Sequence, residues 1–320
     1  MKIGVIGHRN HAKKIITILY KRRNIKKIKI FIHRKYNKNK FNFKSKKIEY
    51  VYSLENLNDI SSVFISSPTK THTKYIKFFL NKKIYIFCEK PGGNGIKDLN
   101  FLQTIKTKRR KKIYFNYNLL FAKQTNLIRE MLKNTPKFGK LSFIDIKLTN
   151  GISYKKELNK NWRFVSKNIF DQITGNLGSH YINLFLWLFK SVEKKNIFKI
   201  KINKKNDTSL ILLKAKKKII INMYFSYSNP LSDELNLYFS NSILKIKDNK
   251  MSVFGPRDHF DKNKFFISPP TIQTNKINQN NEYFKSLELS IDFFLNKVEN
   301  NEKFPLEYFK NSINTLKFFI

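Results

Sequence analysis

Alanine is almost absent from this chain: Ala12, Ala122 and Ala215 are the three among 320 residues. Cysteine is rarer still. Cys88 stands alone, which excludes an internal disulfide framework and any all-cysteine metal site, and fits a reducing compartment. Acidic residues are scarce too: 22 Asp and Glu face 64 Lys and Arg, a formal charge of +42. Such an excess points by default to nucleic acid or an anionic membrane. We read it as compositional drift instead. The enriched residues, Lys, Asn, Ile and Phe, can all be written with A- and T-only codons, so a genome drifting toward those bases would accumulate them without functional demand. The lysines are also dispersed, whereas a nucleic-acid module concentrates charge in a stripe with exposed aromatics. Long apolar runs are lacking as well. The longest, Tyr181 to Phe189, falls far short of the roughly 20 residues that span a bilayer. A strand pattern beginning at Ile3 leaves no room for a leader. The expectation is a cytoplasmic protein with neither membrane nor nucleic acid as partner.

What is present alternates between strand and helix signals over the first 120 residues. Short apolar runs at Ile3–Ile6, Ile28–Ile32, Ile48–Val51, Val63–Ile65, Ile84–Phe87 and Ile113–Phe115 read as strands. Between them lie helical patterns: Ile15 and Leu19 share one face, Tyr75, Ile76, Phe79 and Leu80 follow an N-cap at Thr71, and Leu99, Leu102 and Ile105 share another face. Strands apolar on both faces and separated by helices require a parallel sheet covered on both sides. After residue 136 the rhythm changes. Leu141–Leu148 is a longer strand, and the runs at 210–213, 219–224, 235–239 and 243–246, divided by Lys/Asn/Ser turns, predict a mostly antiparallel sheet. Two helices, about 281–299 and 306–318, close the chain. The fold class is α/β followed by α+β: a Rossmann-type parallel-sheet domain over 1–120, then an α+β domain over 121–320.

Chemistry concentrates at a few junctions. Gly7-His8-Arg9-Asn10-His11-Ala12 occupies the place of the dinucleotide turn G-x-G-x-x-G. Gly7 can make the tight turn, Arg9 stands where the second glycine would admit a pyrophosphate, and Ala12 is a tolerable third residue. The helix N-terminus that follows suits a phosphate, with Arg9 and Asn10 beside it. At the end of the second strand an acid would grip the ribose of NAD, but the chain has His33-Arg34-Lys35. That cluster suits the 2′-phosphate of NADP, and equally a solvated face. The strand at 84–87 empties into Cys88-Glu89-Lys90-Pro91, and 90 residues beyond that lysine come Gly178-Ser179-His180 at the mouth of an apolar helix. An ammonium and an imidazole are suited to moving a proton beside a hydroxyl or carbonyl. His8 and His11 are three residues apart with no third ligand in view, so no metal is expected.

Together, Gly7, the stretch Ser67-Pro68-Thr69-Lys70-Thr71-His72, Glu89-Lys90-Pro91 and Gly178-Ser179-His180 resemble the glucose-fructose oxidoreductase / inositol dehydrogenase / MocA family of NAD(P)-dependent sugar and polyol oxidoreductases. The motifs cover most of residues 1 to about 190, and Glu-Lys-Pro in this context is the specific part. The resemblance implies hydride transfer between a nicotinamide, of NAD or NADP, and a hydroxyl-bearing carbon of a sugar, sugar nucleotide or polyol, with the cofactor on the first domain and the substrate on the sheet of the second. It implies that Lys90 hydrogen-bonds the reacting oxygen, that Glu89 and Lys90 flank the cofactor together with Ser67, Pro68 and His72, and that His180 exchanges the hydroxyl proton. It also implies a homodimer or homotetramer. Departures stand beside it. Asn176 and Asn183 hold positions where the family carries acids, and Asp171 lies nine residues before His180. Asn176, able to hydrogen-bond a sugar hydroxyl, is the third candidate catalytic residue, and Asn118, where a strand-end arginine is common, a candidate cofactor-binding residue. These departures motivate an alternative, a catalytically impaired sugar- or polyol-binding relative.

Overall fold

The computed structural model describes residues 1–32, 45–158, 162–216 and 218–320. It divides into two compact units, residues 1–117 with 288–318 and 320, and residues 118–287 with 319.

In the first unit the chain runs β1 (Lys2–Ile6), α1 (Asn10–Lys21), β2 (Lys27–Phe31), β3 (Ile48–Val51), β4 (Ser62–Ile65), α2 (His72–Leu80), β5 (Tyr85–Glu89), α3 (Ile96–Thr104), α4 (Thr107–Arg110) and β6 (Ile113–Asn116). The six strands form one sheet in the order β3-β2-β1-β4-β5-β6, and every pairing is parallel. This is the doubly wound order of dinucleotide-binding folds, with its reversal between β1 and β4. Parallel strands demand cover on both faces, and the apolar runs supply it: Ile3, Val5, Val63, Phe64, Ile65 and Phe87 are wholly buried. Helix α1 turns Ala12, Ile15, Ile16 and Leu19 inward, as the spacing of Ile15 and Leu19 predicts. The N-cap expected of Thr71 does not form. Its hydroxyl donates to the carbonyl of Pro68 at 2.7 Å, because a short 3₁₀ turn at Thr69–Thr71 precedes α2 and presents that oxygen first.

The second unit contains α5 (Lys123–Lys133), α6 (Thr135–Phe138), β7 (Leu141–Thr149), α7 (Trp162–Val165), α8 (Ile173–Phe189), β8 (Val192–Ile200), β9 (Thr208–Ala215), β10 (Ile219–Ser226), β11 (Ser232–Phe239), β12 (Ile243–Lys247), β13 (Lys250–Phe254) and β14 (Thr271–Lys276). These eight strands make one sheet, ordered β14-β13-β12-β11-β7-β10-β9-β8. All its pairings are antiparallel except β7 with β10. Alternation along β9, β10 and β11 puts Ile211, Leu213, Ile221, Met223, Phe225, Leu235 and Leu237 in the core. Strands β8 and β14, at the two edges, are exposed along most of their length and so lack the alternating signature that marked their neighbours.

The last helices are α9 (Gln279–Glu299) and α10 (Leu306–Phe319), and residues 288–318 belong to the first unit. There Phe294 sits edge-on to Phe64 and Phe87, with ring centroids 5.1 and 5.3 Å apart, and stacks on Phe304 at 5.6 Å.

Helix α8 begins seven residues earlier than the sequence suggests, at Ile173, so His180 lies in its interior and does not open it. Gly175, Gly178 and Ser179 read as helix breakers in sequence. Packing overrides them. A Cβ on Gly175 would stand 2.4 Å from the carbonyl oxygen of Ile169 and 2.7 Å from Cα of Phe170, so only glycine lets the helix lie against that loop.

Candidate active site

Three turns on neighbouring strands share one edge of the first sheet. β1, β4 and β5 are adjacent and parallel, so the turns that follow Ile6, Ile65 and Glu89 leave the same carboxyl edge of the sheet. Gly7 makes the first turn at φ +123°, and a Cβ there would lie 2.3 Å from the carbonyl oxygen of Ser66. Positive φ and the close approach of the next turn both require glycine. Arg9 and Asn10 are exposed at the start of α1, whose first turn holds no acidic residue and no side-chain cap. Amide groups at such an end, with a cation beside them, suit an anion.

The Ser67-Pro68 turn is tied to the Glu89-Lys90-Pro91 turn by His72. The imidazole is 1% exposed, with Nδ1 2.8 Å from the carbonyl oxygen of Pro91 and Nε2 2.8 Å from that of Ser67. Burial pulls its pKa down against the lift of the two carbonyls, and the net direction is downward. A neutral ring donates through one nitrogen only and an imidazolium through both, and both nitrogens here face carbonyl oxygens. His72 thus serves the edge as a strut between two turns. Ser67 Oγ lies 2.7 Å from Thr71 Oγ1, and Pro68 is exposed.

Glu89 closes β5, with Lys90 partly exposed beside it. Its Oε1 lies 2.7 Å from Nε2 of His11 and accepts a 2.7 Å hydrogen bond from Nδ2 of Asn116, the residue in register with it on β6. Asn116 in turn accepts from Ser290 Oγ at 2.7 Å, and Ser290 Oγ lies 2.8 Å from the Tyr114 hydroxyl. Burial works to raise the Glu89 pKa. The charge and hydrogen bond of His11, the amide of Asn116 and the charge of Lys90 outweigh it, so Glu89 is held below its ordinary range. Burial works to lower the His11 pKa, and Glu89 outweighs it, so the imidazole is raised. Sequence reasoning set His11 aside as half of an incomplete metal pair. The signal it missed is a histidine in the phosphate turn of a chain whose fifth strand ends in an acid.

In the second unit, α8 carries Asn176, His180 and Asn183 at four- and three-residue spacing along one side. His180 is partly exposed. Asn176 Nδ2 donates to the hydroxyl of Tyr227 at 3.3 Å, and Tyr227, at the end of β10, stands edge-on to Phe164. Tyr227, one residue beyond β10, carries no signal in sequence because its role comes from a partner 51 residues away in the chain. Asp171 is engaged before the helix starts, accepting from Ser166 Oγ at 2.7 Å. Asn118 falls in the second unit, buried, with its amide donating to Ser286 Oγ at 2.8 Å. His33 and Arg34 lie outside the described residues. Among the described residues, no three His, Cys, Asp or Glu side chains cluster as metal ligands, and no helix is long and apolar enough to cross a membrane.

Residues 1–117 match the model of an oxidoreductase family with an NAD-binding Rossmann fold. Among curated proteins none matches the sequence. Solved structures match along nearly the whole chain. A myo-inositol 2-dehydrogenase from Lactobacillus plantarum is 16% identical, with a TM-score of 0.77 over 99% of this chain and 94% of that one. A 3-ketoreductase from Actinomadura kijaniata, solved with NADP and TDP-benzene, is 16% identical with a TM-score of 0.74 over 99% and 94%. A dehydrogenase from Clostridium difficile is 20% identical with a TM-score of 0.71 over 99% and 98%. At such identities the likeness is one of fold. The match over residues 1–117, with Gly7 at the first turn and the 3-2-1-4-5-6 sheet, makes the N-terminal unit similar to the NAD-binding Rossmann domain of the Gfo/Idh/MocA oxidoreductases.

Proposed function

We propose that the protein is an NAD(P)-dependent oxidoreductase that moves a hydride between a nicotinamide and a hydroxyl-bearing carbon of a sugar, sugar nucleotide or polyol. The observation that carries this reading is the convergence of the Gly7, Ser67-Pro68 and Glu89-Lys90-Pro91 turns on one edge of a sheet whose segment matches an NAD-binding family. The residues would divide the work as follows. Gly7, Arg9 and Asn10 meet the pyrophosphate at the start of α1. Ser67 and Pro68 line the nicotinamide side, while His72 holds their turn. A bound nicotinamide would supply the hydride acceptor. As hydride leaves the carbon, the hydroxyl proton must leave at nearly the same time, and a cation beside the oxygen lowers the cost of the alkoxide. That cation is Lys90, and the proton goes to His180, whose ordinary pKa of about 6.5 suits exchange near neutrality.

The test is nicotinamide binding followed by turnover on a panel of sugars, sugar nucleotides and inositols. Fluorescence titration is expected to show saturable binding of NADPH or NADH, and Lys90→Ala and His180→Ala to lower kcat by about 10²–10⁴-fold with binding retained. Absence of binding at millimolar NAD and NADP would sink the reading. The ratio of the two affinities, and its change in Arg34→Glu, decides between NADP and NAD.

One observation favours a second reading, a polyol-binding relative without turnover. Asn176 stands where the family has an acid, and its amide is committed to the Tyr227 hydroxyl. Turnover abolished by Lys90→Ala or His180→Ala rules that reading out, since an inactive relative has nothing to lose.

A further inference from the structure

His11 precedes Ala12 in the phosphate turn, at a place for which G-x-G-x-x-G specifies no side chain. Its Nε2 stands 2.7 Å from Oε1 of Glu89, the residue joined to Lys90. The carboxylate side chain is 12% exposed and the imidazole 36%. On its inner side Glu89 accepts from Asn116, which continues into the uncharged series Ser290 and Tyr114 at 2.7 to 2.8 Å, and the buried His72 also feels its charge. The cations that face the carboxylate are His11 and Lys90. The charges that face His11 are Glu89 from β5, Lys14 from its own helix, and Lys90. Two cations therefore share one carboxylate, and what one gives up the other receives.

We propose that His11 is a positioning residue for Lys90: its imidazolium holds and neutralises Glu89, so that the carboxylate neither draws the Lys90 ammonium toward itself nor tightens its hold on the proton. In a nearly closed pocket the Coulomb energy of a carboxylate is large, and an uncompensated Glu89 would raise the proton affinity of the adjacent lysine. With His11 protonated, the charge on Glu89 is already answered. The upward shift of His11 and the downward shift of Glu89 agree with a pair that is ionised on both sides. As pH rises and His11 loses its proton, the burden passes to Lys90, which then grips its own proton more tightly. The pair thus couples the phosphate turn of β1 to the lysine turn of β5. The meaning of this device for catalysis rests on the oxidoreductase reading, but the device itself does not need the cofactor.

The experiment is competitive acetylation of the cofactor-free protein with acetic anhydride across a pH series, with the Lys90 peptide followed by mass spectrometry. In His11→Gln the reactivity of Lys90 is expected to fall roughly tenfold at about pH 6, where wild-type His11 is protonated, and to match wild type at about pH 10, where it is not. His11→Lys, which keeps a cation without the imidazole, should restore the wild-type reactivity at about pH 6. A Lys90 profile that is the same in wild type, His11→Gln and His11→Lys overturns the proposal. If circular dichroism shows that His11→Gln does not fold, Glu89→Gln carries the test: Lys90 should then react at lower pH than in wild type, and an unmoved midpoint overturns the proposal equally. A wild-type protein that binds neither NAD nor NADP sinks the oxidoreductase reading while the labelling outcome still judges His11. Intact cofactor binding with unmoved labelling sinks His11 alone.

Discussion

At Gly7 the backbone turns at φ +123° with the Ser66 carbonyl pressed against the place of a side chain, so the one glycine retained from the dinucleotide pattern is the one whose loss no neighbour could absorb. Ala12 is buried under α1, where a small side chain suffices, and Arg9 is exposed, where the backbone is under no such constraint. The same logic explains why Glu89 can be an acid at the end of a buried strand: His11 and Asn116 answer its charge. This pairing has a pH signature. Glu89, held below its ordinary 4.5, contributes stability that is present above that value and is lost as pH falls through the depressed pKa. His11, raised above its ordinary 6.5, contributes stability that is fully present below that value and is lost as pH rises through the raised pKa. The stability difference between wild type and His11→Gln, by urea unfolding, should therefore be largest between those two values, at about 1–3 kcal/mol, with the low end favoured by the part-exposed ring. A difference that stays flat from acid to alkaline pH would show that the histidine acts by packing alone. Gly7, Glu89 and Lys90 are legible in sequence because each belongs to a short motif at the end of a readable strand. His11, Asn116 and Tyr227 were not, because each acquires its role from a partner distant in the chain.

Helix α8 shows what an element can hide. Two glycines and a serine in seven residues argue for a loop that gives way to helix at His180, yet the chain is helical from Ile173 to Phe189. The two glycines have different reasons. Gly175 abuts backbone, with Ile169 O at 2.4 Å from a built Cβ, whereas Gly178 abuts the ends of side chains, with Ile211 Cδ1 at 3.2 Å and Phe319 Cζ at 3.3 Å. Gly175→Ala should accordingly cost about 1–3 kcal/mol by overpacking, since a carbonyl in a loop backbone cannot rotate away. Gly178→Ala should stay within about 1 kcal/mol of wild type, because the helix-propensity gain offsets a shift of a few tenths of an ångström in the Ile211 and Phe319 side chains. Thermal unfolding of the two variants side by side checks the ordering. Equal losses would mean that helix propensity, and not close approach, decides both positions. The strands divide along similar lines. Strands β9, β10, β11 and β12 are readable from alternation, whereas β13 is not, although Met251 and Val253 are buried. The edge strands β8 and β14 were not, because exposed lysine-rich segments carry no such pattern and are strands only by virtue of the neighbour they pair with.

On the scale of the whole molecule, the first unit is assembled from both ends of the chain. Residues 1–117 supply the sheet, and residues 288–318 supply aromatic rings that complete its cover. Phe294 meets Phe64, Phe87 and Phe304 with centroids 5.1, 5.3 and 5.6 Å apart, and Arg22 pairs with Glu288 and Asp292 at 2.8 and 2.7 Å. Phe294→Ala should therefore destabilise by about 3–5 kcal/mol, a value typical of a fully buried phenylalanine. Leu289→Ala, on the same helix but 42% exposed, should change stability by less than about 0.5 kcal/mol. Denaturant midpoints of the two variants measure the contrast, and a Phe294→Ala loss no larger than that of Leu289→Ala would remove the C-terminal helix from the core of this unit. Local pattern alone determined the class of each half, the parallel sheet of the first and the antiparallel sheet of the second, because apolar periodicity is set by which faces an element must bury. It also determined the candidate chemistry at Gly7, Lys90 and His180, because unusual residue types at strand and helix junctions are visible one segment at a time. The strand order, the return of residues 288–318 to the first unit, and the pairings of His11 with Glu89 and Asn176 with Tyr227 were decided only by tertiary structure. A contact between residues far apart in the chain is chosen by packing and by charge neutralisation in the folded core, and neither leaves a mark on the neighbouring sequence.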